Sequence, residues 1–264
     1  MEANLKSAFS RVYVHVIVLS SAFFLLTCGQ GYRDISTENG RQAVIDDAQN
    51  YLTAGLCEEA ISVLQPLYSS QYANEEVKLL YASAYGCKGG MNMAAQIGEL
   101  TNVSGADIWS PLVKTNYSAS NADLHIVNLD LAADIIRQTN FVPGAYEASS
   151  RSKDANTFMT FVQLNNITSV ISPLGAANKA TGKRTQAVCA ACSVADVCHV
   201  QVAVAFMDDA LDFMGNGPVV TTLNSALNTA CAGACPTNKV LAVCMGDAVL
   251  QATGQAMITA IGAQ

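Results

Sequence analysis

Apolar residues recur at helical rather than strand spacing along this 264-residue chain, and Gly and Pro interrupt the pattern at roughly ten- to twenty-residue intervals. Within 122–138, Leu124, Val127, Leu131 and Ile135 form an apolar stripe, and Pro143-Gly144 follows it. Segment 150–175 carries Phe158, Phe161, Val162 and Leu164 before closing at Pro173-Leu174-Gly175. Segment 194–214 ends at Gly215-Asn216-Gly217-Pro218. No stretch alternates as a half-buried strand would, so the pattern predicts an all-α fold. In 239–264 the only charged side chains are Lys239 and Asp247. A helix apolar all round belongs at the centre of a core or, second, at an oligomer contact. Asp247, Gln251, Thr253 and Gln255 speak against a membrane span there.

Apolar residues make up 51% of the chain and charged residues 13%, about half the usual charged share of roughly 25%. That composition excludes intrinsic disorder. A net charge of -7 with 14 scattered basic residues excludes a nucleic-acid binder, which needs clustered Lys and Arg on phosphates.

The N-terminus reads as an export signal over 1–27. Lys6 and Arg11 precede the apolar run Val12–Thr27, which is short for a spanning helix and fits a signal core. Leu25-Leu26-Thr27-Cys28 resembles the lipobox of bacterial lipoproteins, with Thr27 where that family usually has Gly, Ala or Ser. The resemblance implies cleavage before Cys28, a diacylglyceryl group on its sulfur, and acylation (palmitate among the chains) that holds the protein to a bilayer. An ordinary cleaved signal and an uncleaved anchor are the alternatives. Gly29 follows the cysteine, not the Asp that retains many lipoproteins at the inner membrane, so the expected location is the outer membrane, facing the periplasm. Loss of Glu2, Lys6 and Arg11 would take the charge from -7 to -8. Residues 28–40 read as a polar lipidated tether.

With Cys28 lipidated, eight cysteines remain: Cys57, Cys87, Cys189, Cys192, Cys198, Cys231, Cys235 and Cys244. An even number in an oxidising compartment indicates structural disulfides. The clusters Cys189-x₂-Cys192-x₅-Cys198 and Cys231-x₃-Cys235-x₈-Cys244 match a zinc site or a redox CxxC less well. No metal or other cofactor is expected. The connectivity of the last six stays open among 15 pairings.

Ala48 and Ala82, Tyr51 and Tyr85, Gly55 and Gly89, and Ala60 and Ala94 are each 34 residues apart. This resembles the tetratricopeptide repeat, a helix–turn–helix of that period, although Val44 stands at its usual large aromatic and its late Pro is missing. The resemblance implies two stacked hairpins over 41–107, capped by a disulfide-stapled helical bundle over 108–264. Its register brings Cys57, at the start of one helix, beside Cys87, at the end of the next, and so implies a Cys57–Cys87 disulfide. It also implies a partner-binding groove lined by first helices, with Asp47, Tyr51, Tyr81 and Tyr85 as candidates, joined by Trp109 beyond the repeats.

No HExxH, GxSxG or GxGxxG occurs. Gly182-Lys183 fails as a phosphate loop, because six residues separate it from Gly175 and Arg184 replaces the Ser or Thr that would ligate magnesium. Outside the signal only His125 and His199 remain; His125 reads as a surface or core histidine, and Asp208, Asp209 and Asp212 as a solvated helix face. The expected role is therefore not enzymatic. It is a lipid-anchored helical scaffold for protein or peptide partners, with a small-ligand or transport-accessory lipoprotein, an oligomeric companion of a solute-binding protein, as the alternative.

Overall fold

Thr37 opens the first helix by accepting a 3.0 Å hydrogen bond from the backbone N–H of Gly40 onto its side-chain oxygen, which satisfies one of the free donors of the first turn. In the computed structural model, residues 33–101, 107–116, 123–137, 148–186, 192–232 and 235–263 are described; Cys28, Tyr117, Pro143-Gly144 and Cys189 lie outside them. Helix α1 runs Glu38–Thr53, α2 Cys57–Tyr68, α3 Glu75–Lys88, α4 Met93–Thr101, α5 Trp109–Thr115 and α6 Asp123–Arg137. Then follow α7 Lys153–Leu174, α8 Val194–Leu211, α9 Pro218–Ala230, α10 Leu241–Met245 and α11 Ala248–Ala263. The fold is all-α, as the spacing predicts.

Residues 33–40 are part of this fold rather than of a tether. Arg33 pairs with Asp47 at 2.8 Å, and a Cβ on Gly40 would lie 1.9 Å from the Asp34 carbonyl oxygen, so the chain folds back tightly onto α1.

Two helices close with the same device. Gly55 (φ +73°) follows α1 and Gly90 (φ +80°) follows α3. Each motif pairs a bond across three residues with one across five: Gly55 N–H to Leu52 O and Leu56 N–H to Tyr51 O, then Gly90 N–H to Cys87 O and Met91 N–H to Gly86 O. Gly90, not Gly89, is thus the conformational counterpart of Gly55. Gly89 serves close packing instead, since a Cβ there would meet Leu129 Cγ at 2.7 Å.

Helices α1, α2 and α3 pack in succession around Ala48, Ala60, Leu64, Leu67 and Ala82, all fully buried. The expected second hairpin of α3 with α4 does not form. Helix α4 packs chiefly on α5 and α9, and α6 lies along α3 in its place; Ala94 is exposed accordingly. The division between the two apolar clusters therefore falls near the α3–α4 turn rather than at residue 107. One cluster joins α1, α2, α3, α6 and the first half of α7. The other joins α5, the second half of α7, α8, α9 and α11.

Helix α7 runs through both. From Ala155 to Ser172 every residue except Thr157 is buried, although many are polar. Asn165 and Gln96 exchange amide hydrogen bonds at 2.8 and 3.1 Å, and Asn165 also donates to Phe161 O. Asn116 donates to Ser169 Oγ at 3.2 Å, and Thr160 and Thr168 bond back to the carbonyls of Asn156 and Leu164. Most buried polar groups in proteins are paired in this way; the Asn166 Oδ1 is an exception among the described residues.

The apolar C-terminal segment is not the central helix. It breaks at Gly246-Asp247 into α10 and α11, which lie at the edge of the bundle. One face of α11 carries the buried Met257, Ile258 and Ile261, while Val240, Val243, Met245 and Val249 are 47–73% exposed. On α6 the expected stripe faces outward at Val127 and Leu131; the core face is Leu129, Ala132, Ala133 and Ile136.

Truncation of Gln96 to Ala should leave the Asn165 amide short of partners in a dry site and lower stability by about 1–3 kcal/mol. A double substitution, Gln96→Leu with Asn165→Leu, should cost less than the sum of the singles. Urea denaturation of Gln96→Ala and of the four proteins in the leucine cycle checks both expectations.

Candidate interaction groove

The residues expected to line one groove are divided among three environments. Asp47 Oδ2 accepts from Arg33 Nε at 2.8 Å. Burial lowers the affinity of Arg33 for its proton, but the Tyr51 hydroxyl and the Asp47 carboxylate outweigh it and hold the guanidinium above its ordinary value. Tyr81 is 4% exposed. Its ring stacks on Tyr68 at 4.2 Å between centroids and meets Tyr85 edge-on at 5.2 Å, and its hydroxyl donates to Gln65 Oε1. Burial first, and the neighbouring Tyr85 second, push the Tyr81 hydroxyl well above the usual phenol range. Tyr81 and Tyr85 thus seal the α2–α3 contact rather than lining a groove between first helices. Trp109 is 1% exposed and belongs to the second core; its bulk fills the base of α5, so no partner reaches it.

A groove nevertheless runs along α3. Leu79 and Leu80, with Ser83 one helical turn further on, form its floor. Gln49 of α1 walls one side, and Ser152 and Asp154 at the start of α7 wall the other. Its volume is about 490 Å³, in a shallow depression open to solvent. Leu79 and Leu80 are half-buried, whereas Gln49, Ser152 and Asp154 are exposed. The sequence signal was present in the apolar pair Leu79-Leu80, but the same pair reads equally well as core. What frames it is the arrival of the α7 N-terminus beside α3, opposite α1.

The chemistry-bearing residues elsewhere are structurally engaged. Cys57 is bonded to Cys87 across α2 and α3, Cys198 to Cys244 across α8 and α10, and Cys231 to Cys235 at the end of α9; Cys192 is also disulfide-bonded. Because Cys57 begins α2 and Cys87 ends α3, the bond fixes those helices antiparallel, and Lys88 pairs with Glu58 beside it at 2.7 Å. Closing a 30-residue separation stabilises by roughly 3–4 kcal/mol on the chain-entropy view. Asp209 is not on a solvated face: its carboxylate accepts from Lys239 at 2.8 Å and from the Ala148 N–H at 3.2 Å, with Arg151 at 3.8 Å. Asp208 and Asp209 are half-buried and Asp212 exposed. Burial, then the nearby Asp212 and Asp209, raises the Asp208 carboxyl above its ordinary value, against the opposing pull of Lys239. No group of His, Cys, Asp and Glu suited to a metal occurs among the described residues.

His199 on α8 faces Asp130 on α6 at 3.5 Å, and its Nδ1 lies 2.9 Å from the Ala195 carbonyl. Its hydrogen bond to Asp130 raises its proton affinity, and burial only partly opposes this.

No protein-family model matches the chain, and no curated protein or solved structure matches it significantly.

A raised folded value means that the native chain holds the His199 proton more tightly than the unfolded chain does. The resulting stability is complete below the ordinary value of 6.5 and is lost as the pH rises through the higher folded value. Asp130→Asn should flatten that part of the profile. Unfolding free energies of both proteins across about pH 5–8 check this, and equal slopes would contradict it.

Proposed function

We propose that this protein is a lipid-anchored helical scaffold of the bacterial envelope, held at the outer membrane through Cys28, which receives a protein or peptide partner in the groove along α3. The observation that carries the reading is the groove itself: a floor of Leu79 and Leu80 with Ser83 one turn on, open to solvent and framed by three separate helices. Helix-in-groove docking uses such a floor, with anchors spaced at one turn. The α1–α2 hairpin acts in this reading as a tetratricopeptide-like unit. The interior supports the groove over a ligand chamber, because α7 fills the bundle axis with Phe161, Leu164, Ile167 and Val170, all at most 1% exposed.

The anchor rests on the sequence at Leu25-Leu26-Thr27-Cys28 and on the parity of the remaining cysteines. It is compatible with the helices: none among the described residues is long and apolar enough to cross a membrane. Two or three acyl chains at Cys28 supply firm anchoring without a span.

Two outcomes test the proposal. Cys28→Ser should move the protein from the washed membrane fraction to the soluble fraction, and retention on membranes would refute the lipid anchor. A photo-crosslinking amino acid at Ser83 should trap one discrete partner in intact cells, and the same probe at exposed Glu59 on α2 should not. Loss of the Ser83 adduct on Leu80→Asp is expected; an adduct indifferent to that change would refute the groove.

A further inference from the structure

We propose that the groove along α3 selects a cationic amphipathic segment, one that presents Lys or Arg beside apolar side chains spaced by one helical turn. The inference rests on the groove reading above and names the chemistry of its partner.

Three carboxylates rim the floor of Leu79 and Leu80: Glu75 and Glu76 from the first turn of α3, and Asp154 from the first turn of α7. None of them takes part in an ion pair among the described residues. The cations next to them in the chain are turned elsewhere. Lys78 is buried within the bundle at 9% exposure. Lys153 extends toward Gly215, where a Cβ would stand 3.7 Å from its Nζ.

Acidic residues in a first helical turn are favoured by the helix dipole, and that accounts for part of this arrangement. It does not account for the sum. Two helix N-termini offer roughly half a positive charge each, less than three carboxylates carry; Arg41, which lines the adjoining pocket with Glu76, offsets part of the remainder, and the rim stays net negative. The convergence of two helix starts on one apolar floor is a tertiary feature, and neither helix needs it for its own stability. An apolar floor under an anionic rim discriminates by charge: a partner with carboxylates meets like charges, whereas a cationic one gains ion pairs at the edge of a desolvated contact.

The test uses the full chain in phosphatidylcholine nanodiscs, with empty discs as the blank. Two fluorescein-labelled twelve-residue peptides serve as probes, identical in Leu spacing, one carrying Lys and the other Glu at every polar position. Salt of about 0.15 M, where the screening length is about 8 Å, suppresses general attraction to an acidic protein. Fluorescence anisotropy should show the Lys peptide binding at least tenfold more tightly than the Glu peptide. Glu75→Lys with Asp154→Lys should erase or invert that preference. The milder set Glu75→Gln, Glu76→Gln and Asp154→Asn should shift it in the same direction without reversing charge at the helix starts. Glu59→Lys with Asp212→Lys, which alters the net charge equally but away from the groove, should leave the preference intact.

Equal binding of both peptides, preference for the Glu peptide, absence of binding, or an effect of the remote pair as large as that of the rim pair would each overturn the proposal. The Ser83 adduct in cells is a separate readout. If it persists and remains sensitive to Leu80→Asp while the peptides show no charge preference, the groove stands as an interaction site and only the cationic assignment falls.

Discussion

A helix buried on all sides must account for every polar side chain it carries, and α7 carries many. Its backbone bonds are satisfied within the helix, but Asn165, Thr168, Ser169 and Asn156 need fixed partners, because an amide left unpaired in a dry core costs more than the bond itself contributes. Gln96 of α4 pairs with Asn165, Asn116 after α5 donates to Ser169, Ala148 and Arg151 hold Asn156, and Asp130 of α6 accepts from Asn166. A core of this kind specifies one register: sliding α7 by a residue would leave several amides without partners at once. The same helix contributes Met159 and Val162 to one apolar cluster and Leu164, Ile167 and Val170 to the other. The two halves of the protein are thereby joined by a shared core rather than by a linker.

Much of this was legible locally and some of it was not. Helices and their ends follow from apolar spacing, Gly and Pro, because capping and φ restrictions act within a few residues. The Cys57–Cys87 bond across α2 and α3 is the pairing that the tetratricopeptide resemblance implies, although the second hairpin of that repeat does not form. The replacement of α4 by α6 against α3 was not visible. It depends on Ala132 and Ala133 of α6, whose small size allows close approach but lends little weight to a hydrophobic pattern, beside which the larger, exposed Val127 and Leu131 stand out. The identity of the central helix was concealed for the same kind of reason. Asn, Gln, Thr and Ser look solvent-facing until a partner 69 residues away in sequence, as Gln96 is from Asn165, makes their burial tolerable.

The groove belongs to the long-range category as well. Leu79 and Leu80 read as core, and the first-turn acids of α3 and α7 read as complements to their own helices. Only the meeting of those helix starts converts the residues into a surface with a floor and a charged rim. Because α3 is bonded to α2 through Cys57–Cys87 and backed by α6, and because α7 is locked by its amides, the groove is held by rigid elements rather than loops. A preformed site loses little conformational entropy on binding. That suits the docking role proposed above, in which the partner would order itself on a fixed surface.

The account therefore stands on α7 acting as the common spine of both clusters. Amide hydrogen exchange under native conditions, followed through a series of low denaturant concentrations, measures this directly. The account predicts that amides from Phe158 to Ile171 are the slowest in the chain, and that the core amides of α3 and of α8 merge with them into one global opening. Separate openings for the α1–α3 and α8–α11 regions, with α7 exchanging alongside only one of them, would contradict it.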